Sequence, residues 1–190
     1  MSRAYRISVS ESVRRHVRVS DGIRTQLELL DVLPAEAMSD LLCAELGQRG
    51  FARDGDDMVR LDADGVEVRI GVQGSNTGHV TVRLAREKDL AIEVERSQRV
   101  YAETEAETRS DLEQQVARAI EQCTEDEEES LSIEVTETLE RKLRDLRREL
   151  DQIGNRVTAE ALKVRARQIG EIREISEDPE TGTLTIKVRV

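Results

Sequence analysis

Apolar side chains recur at every second position over three stretches of this chain and at every third or fourth position over two others. That alternation of periods outlines an α+β fold. Tyr5, Ile7 and Val9 alternate with Arg6, Ser8 and Ser10, so 4–30 reads as strand. Val17 and Val19 lead into Asp21-Gly22, a pair suited to the positive φ angles of a tight hairpin turn. The predicted return strand carries Ile23, Thr25, Leu27 and Leu29 on one face. Pro34 then opens a helix over 34–49, where its missing N–H costs nothing, with Met38, Leu41, Leu42 and Leu46 at helical spacing and Gly50 as the stop. Period two returns over 51–101. Met58, Val59 and Leu61 are followed by the turn Asp62-Ala63-Asp64-Gly65, by Val66, Val68, Ile70 and Val72, and by a second turn over Gly74–Gly78. Val80, Val82 and Leu84, then Leu90, Ile92 and Val94, then Val100 predict further strands of an antiparallel meander with one wet face.

From about 103 to 153 the chain has neither Gly nor Pro. Ser110 and Glu113 have the spacing of a capping box, in which hydroxyl and carboxylate satisfy free helix amides reciprocally. Leu112, Val116, Ala119 and Cys123 follow, and Leu139, Leu143, Leu146, Leu150, Ile153 and Val157 repeat in a 4-3-4-3-4 heptad seam. Leu131, Ile133 and Val135 alternate like a strand and predict a break, as does Gly154-Asn155. An unbroken helix over 103–153 would be about 75 Å long. The expectation is therefore an antiparallel helical arrangement, folded back near residue 136 within one chain or formed between two copies. The acidic run 125–129 would then face the basic residues Arg141, Lys142, Arg144, Arg147 and Arg148. A last helix ends at Gly170. Ile172 and Ile175, the turn Asp178–Gly182, and Leu184, Ile186, Val188 and Val190 predict a closing β-hairpin. The fold class is α+β: a mostly antiparallel sheet with one short helix (34–49), a coiled-coil-like helical insert (about 104–169) and a C-terminal β-hairpin. The expected division is 1–102 plus 171–190, joined in one sheet, around the insert 103–170.

Charge changes the functional picture. The 190 residues carry a formal net charge of -11, a field that repels polyanions, and only three aromatic rings, Tyr5, Phe51 and Tyr101. Both facts disfavour nucleic acid, which rewards basic surfaces and stacking platforms. A basic face around Arg14, Arg15, Arg18 and Arg24 is the feature that would reverse this. Cys43 and Cys123 are far apart and no CxxC occurs, so neither a disulfide framework nor a zinc site is expected. The opening residues lack the apolar core of a secretory signal, and no apolar run is long enough to cross a membrane. A cytoplasmic location is expected.

The candidate chemistry is thin. Asp54–Asp57 and Asp62–Gly65 group acids closely but lack the full ligand pattern of a calcium loop, so they read as polar hairpin tips. Glu125–Glu129 reads as a solvated helix end. His16 and His79 accompany no catalytic pattern. Gly71–Gly78 lacks the Lys-Ser/Thr ending of a phosphate loop. No catalytic, cofactor-binding or metal-ligating residue is assigned. The candidate interface is the seam Leu139, Leu143, Leu146, Leu150, Ile153 and Val157.

The two ends of the chain carry a resemblance. The opening MSRAYRI, the segment QLELLDVLP (26–34) and the ending EALKVRARQIGEIREISEDPETGTLTIKVRV (160–190) resemble the small accessory proteins of bacterial FtsH ternary systems. Those systems group FtsH-like and MoxR-like AAA+ ATPases with von Willebrand factor A proteins. The stretch 34–84 also faintly resembles Ycf35-like proteins of chloroplasts and cyanobacteria. The resemblance implies a non-enzymatic adaptor or recognition subunit with no cofactor, whose partners are an AAA+ ATPase and a von Willebrand factor A protein, with a homodimer also open. An enzyme whose carboxylates meet only in the fold is the alternative, and a nucleic-acid binder is a weaker third.

Overall fold

The computed structural model describes residues 4–72, 77–178 and 183–189. The elements in order are β1 (Tyr5–Glu28), α1 (Ala35–Gln48), β2 (Ala52–Asp54), β3 (Asp57–Leu61), β4 (Glu67–Gly71), β5 (Thr77–Val100), a 3₁₀ turn (Ala102–Thr104), α2 (Glu105–Ile169), β6 (Glu171–Asp178) and β7 (Thr183–Arg189). β1, β5, β4, β3 and β2 are neighbours in that order in an antiparallel sheet. The α+β class and the terminal hairpin are as expected from the periodicities. Packing divides the chain into two compact units, Met1–Asp21 with Ala85–Glu137, and Gly22–Leu84 with Thr138–Val190.

Several expected turns do not form. β1 passes through Asp21-Gly22 without a hairpin, and β5 is one 24-residue strand rather than several. Gly22 marks a close backbone approach instead: a Cβ there would lie 3.0 Å from the Val82 carbonyl oxygen. The Asp62–Gly65 turn does form. Gly65 has φ +78° and donates to the Asp62 carbonyl, while the Val66 amide donates to Asp64 Oδ1. Gly55, at φ +62°, turns β2 into β3. The expected turns over Gly74–Gly78 and Asp178–Gly182 fall largely on residues 73–76 and 179–182, outside the described residues.

The predicted break near 136 and the heptad fold-back are overturned. α2 is one helix from Glu105 to Ile169, and Ser110 lies inside it rather than at its cap. In the first unit its apolar stripe packs on β-strands, not on another helix. Leu112 meets Ile7 and Val100; Val116 and Ile120 meet Val94, Val9 and Val13; Leu131 meets Val17 and Leu90. The buried positions 112, 116, 120, 131 and 135 step mostly by four. A stripe stepping so slowly winds about the helix axis, which suits a partner that is itself twisted. The strand-like alternation at Leu131–Val135 is overridden because Leu131 and Val135 occupy that stripe, while Ile133 is left 54% exposed.

In the second unit, Pro34 precedes α1, and Gly50 (φ +83°) ends it by donating to the Gly47 carbonyl. The buried side chains of this unit include Met38, Leu42 and Leu46 of α1, Val66 just before β4, Val68, Ile70, Val80 and Val82 of the sheet, and Leu139, Leu146, Ile153 and Val157 of α2. Gly154 does not break α2; it lies against Leu27 and Leu29, where the helix runs close to the chain. β6 and β7 form their own two-stranded sheet rather than joining the main one. Their half-buried face is Ile172, Leu184, Ile186 and Val188, and Leu184 borders a groove with Ala159 and Leu162 of α2.

Candidate functional site

The six residues of the candidate interface seam lie on the inner side of α2. Leu139, Leu146, Leu150, Ile153 and Val157 are buried, and Leu143 is half-buried. What α2 offers to solvent is therefore its charged side, and in the first unit that side is acidic. Glu105–Glu137 holds twelve carboxylates against two arginines. Between Ile120 and Leu131 the apolar stripe lapses, with Cys123 exposed and Thr124 and Glu127 half-buried. Polar contacts tie the helix to β5 there. Lys88 Nζ donates to Glu127 Oε2 at 2.6 Å, and Arg86 Nε lies 3.8 Å from Glu134 Oε1. Glu125, Asp126, Glu128 and Glu129 are exposed and have no side-chain partner among the described residues. The run expected to be a helix end is thus mid-helix, a carboxylate surface bordered by exposed Ile133.

β1 forms the other exposed side of this unit. It stands first in the strand order, so among the described residues its outer edge has no neighbouring strand. The basic residues of β1 do not form an uninterrupted basic face. His16 Nδ1 is 2.8 Å from Asp89 Oδ1, His16 Nε2 is 3.8 Å from Glu87, and Arg18 Nε is 3.2 Å from Glu87. Near the start of β1, Tyr5 Oη donates to Glu105 Oε2 at 2.5 Å, and this bond to the carboxylate holds the phenol above its ordinary pKa. A groove of about 510 Å³ between β1 and α2 is lined by Glu11, Val13, Arg15, Ile120, Glu121 and Glu125, among others.

The second unit contains a charge network that the linear sequence did not disclose. Arg60 forks onto Glu149 through two bonds of 2.7 and 2.8 Å, and its Nε donates to Asp62 Oδ1 at 2.8 Å. Lys142 pairs with the second oxygen of Asp62, and the Arg60 guanidinium lies 4.4 Å from the centre of the Phe51 ring. Hydrogen bonding to Glu149 raises the Arg60 pKa, and the same bonds hold the Glu149 carboxyl below its ordinary value against the opposing effect of burial. For Asp62, burial pushes upward, but Lys142 and Arg60 together leave it lowered. Every member is matched by opposite charge, an arrangement that fixes α2 on the sheet and leaves no lone group for acid–base work. Asp62 thus belongs to a structural network, and Asp57 and Asp54 pair with Arg69 at 3.1 and 3.0 Å. Among the described residues no three His, Cys, Asp or Glu side chains gather as metal ligands. His79, Cys43 and Cys123 have no catalytic partner among them either. Among the described residues no helix is long and apolar enough to cross a membrane.

Comparison with known proteins adds one match. The family model described as FtsH ternary system domain X5 matches residues 1–190, the whole chain. No curated protein and no solved structure matches it.

Proposed function

Because the chain belongs to the FtsH ternary system domain X5 family, we propose that it is a non-enzymatic adaptor, binding protein partners of that system through the acidic outer side of α2. The observation that carries this reading is the carboxylate surface Glu125, Asp126, Glu128 and Glu129, exposed and unpaired within its unit beside Ile133. Its complement is a basic protein surface with an apolar pocket. Opposed charge of that kind speeds encounter and sets register, while an apolar anchor supplies affinity. The partners are the AAA+ ATPase and the von Willebrand factor A protein, and the site of action is the cytoplasm.

The test is a binding titration with the purified FtsH-like ATPase at increasing ionic strength. Affinity should fall with salt, and reversing the four carboxylates to lysine should weaken binding at least tenfold, about 1.4 kcal/mol. Circular dichroism should be unchanged, since all four side chains are exposed. Salt-independent binding that survives the reversal would remove this surface from the reading.

A further inference from the structure

The inward face of β1 carries two charges that have no partner among the described residues. Glu11 and Arg15 fall in the same alternation as Ile7, Val9, Val13, Val17 and Val19, both are exposed, and neither has a partner among the described residues. Both line the groove beside α2, along the edge of β1 that has no neighbouring strand among the described residues.

We propose that this edge pairs with the same edge of a second copy of the chain, antiparallel, about a twofold axis through Val13. The sequence 7–19 is self-complementary in that register. On the inward face, Glu11 stands opposite Arg15 of the second copy and Arg15 opposite its Glu11. Val9 opposes Val17, Ile7 opposes Val19, and Val13 opposes itself. On the outward face, each basic side chain meets a serine: Ser12 with Arg14, Ser10 with His16, Ser8 with Arg18 and Ser20 with Arg6. No like charges stand opposite one another. A shift to centre on Arg14 would set it against itself and Glu11 against Val17, and a shift to Ser12 would set Arg15 against Val9.

The opposite edge of this unit has no such property. Centred on Ile92, β5 would oppose Asp89 to Glu95 and Lys88 to Arg96; centred on Glu93, that carboxylate would face itself. Directly opposed side chains are the unit of sheet stabilisation, and like charges there are destabilising. A self-paired edge also gives a closed, isologous contact and caps an otherwise open template. Glu121, Glu125 and Glu128 border the groove, so the two helices bring carboxylates toward one another. Association therefore needs physiological salt, where the Debye length is about 8 Å.

Sedimentation velocity of the full chain at tens of micromolar in about 0.15 M salt reads the result. The wild type should be a dimer. Glu11→Arg alone and Arg15→Glu alone each set like charges opposite one another, and each should raise the dissociation constant at least tenfold. The double exchange Glu11→Arg with Arg15→Glu restores opposite charges in reverse and should restore the dimer. Melting curves of all four proteins guard against unfolding, and both positions are exposed. A monomeric wild type would overturn the proposal and make the two charges guards against edge pairing. Dimers that persist in the single variants, or a folded double variant that stays monomeric, would overturn the register.

Discussion

Removing the Glu149 carboxylate should expose how much of the second unit depends on one charged fork. Arg60 and Glu149 are 17% and 23% exposed at the side chain, and two short bonds join them. A fully buried pair broken on one side costs about 3–5 kcal/mol. Here partial solvent access and the remaining Asp62 partner reduce that to about 2 kcal/mol, in line with hydrogen bonds to charged groups. Glu149→Gln should therefore lower the melting temperature by about 4–8 °C for a chain of this size. A double-mutant cycle with Arg60→Met, followed by urea unfolding, isolates the pair and should give a coupling energy of about 1.5–3 kcal/mol. A coupling under about 0.5 kcal/mol, the value of an exposed pair, would refute the claim that the fork pins α2 to the sheet.

The same network fixes the direction of acid sensitivity. The carboxyls of Glu149 and Asp62 are held below their ordinary values of 4.5 and 3.8, so the folded state binds fewer protons than the unfolded one. Their contribution is present above about pH 4.5 and fades as pH falls through the lowered folded values. Glu149→Gln should flatten the loss of stability measured by urea unfolding between about pH 5 and 3, leaving the part contributed by Asp62. Leu150→Ala should cost about 2–5 kcal/mol in urea unfolding and Leu143→Ala much less, because Leu150 is buried and Leu143 only half so. Gly170→Ala would drive its Cβ onto the Arg189 carbonyl oxygen. Amide exchange in β6 and β7 should rise in that variant while α1 stays protected; an unchanged hairpin would refute the packing described for Gly170.

Some of these features are legible in the residue pattern alone. α1 is written in Pro34, Gly50 and the spacing of Met38, Leu42 and Leu46, and the hairpin tips in Gly55 and Gly65. Local signals fail where long-range pairing outweighs them. Asp21-Gly22 has turn chemistry, yet β1 pairs with β5 and runs as one strand from Tyr5 to Glu28, without a hairpin there. The heptad at Leu139–Val157 reads as helix against helix, but a buried stripe on a helix does not say what covers it, and this unit buries side chains of both α1 and the sheet. Arg60 and Glu149 are 89 residues apart, and no periodicity links two such positions. The two charges on the inward face of β1 are visible as breaks in an apolar alternation, the kind of local inconsistency that marks a functional residue.

The packing of α2 along β1 in the first unit constrains how related chains can change length. Leu112 sits by Ile7 and Leu131 by Val17, so nineteen helical residues advance beside ten strand residues. At 1.5 and about 3.3 Å per residue these are about 29 and 33 Å. A single inserted residue in this part of α2 would rotate everything beyond it by about 100°, taking the stripe off the strands. Natural variants of this unit should therefore grow or shrink in matched blocks. About 22 helical residues, six turns, go with about ten residues in each strand, an even number that keeps every side chain on its face. Homologues that differ in the length of α2 alone should be rare, and those that differ should carry compensating changes in β1 and β5.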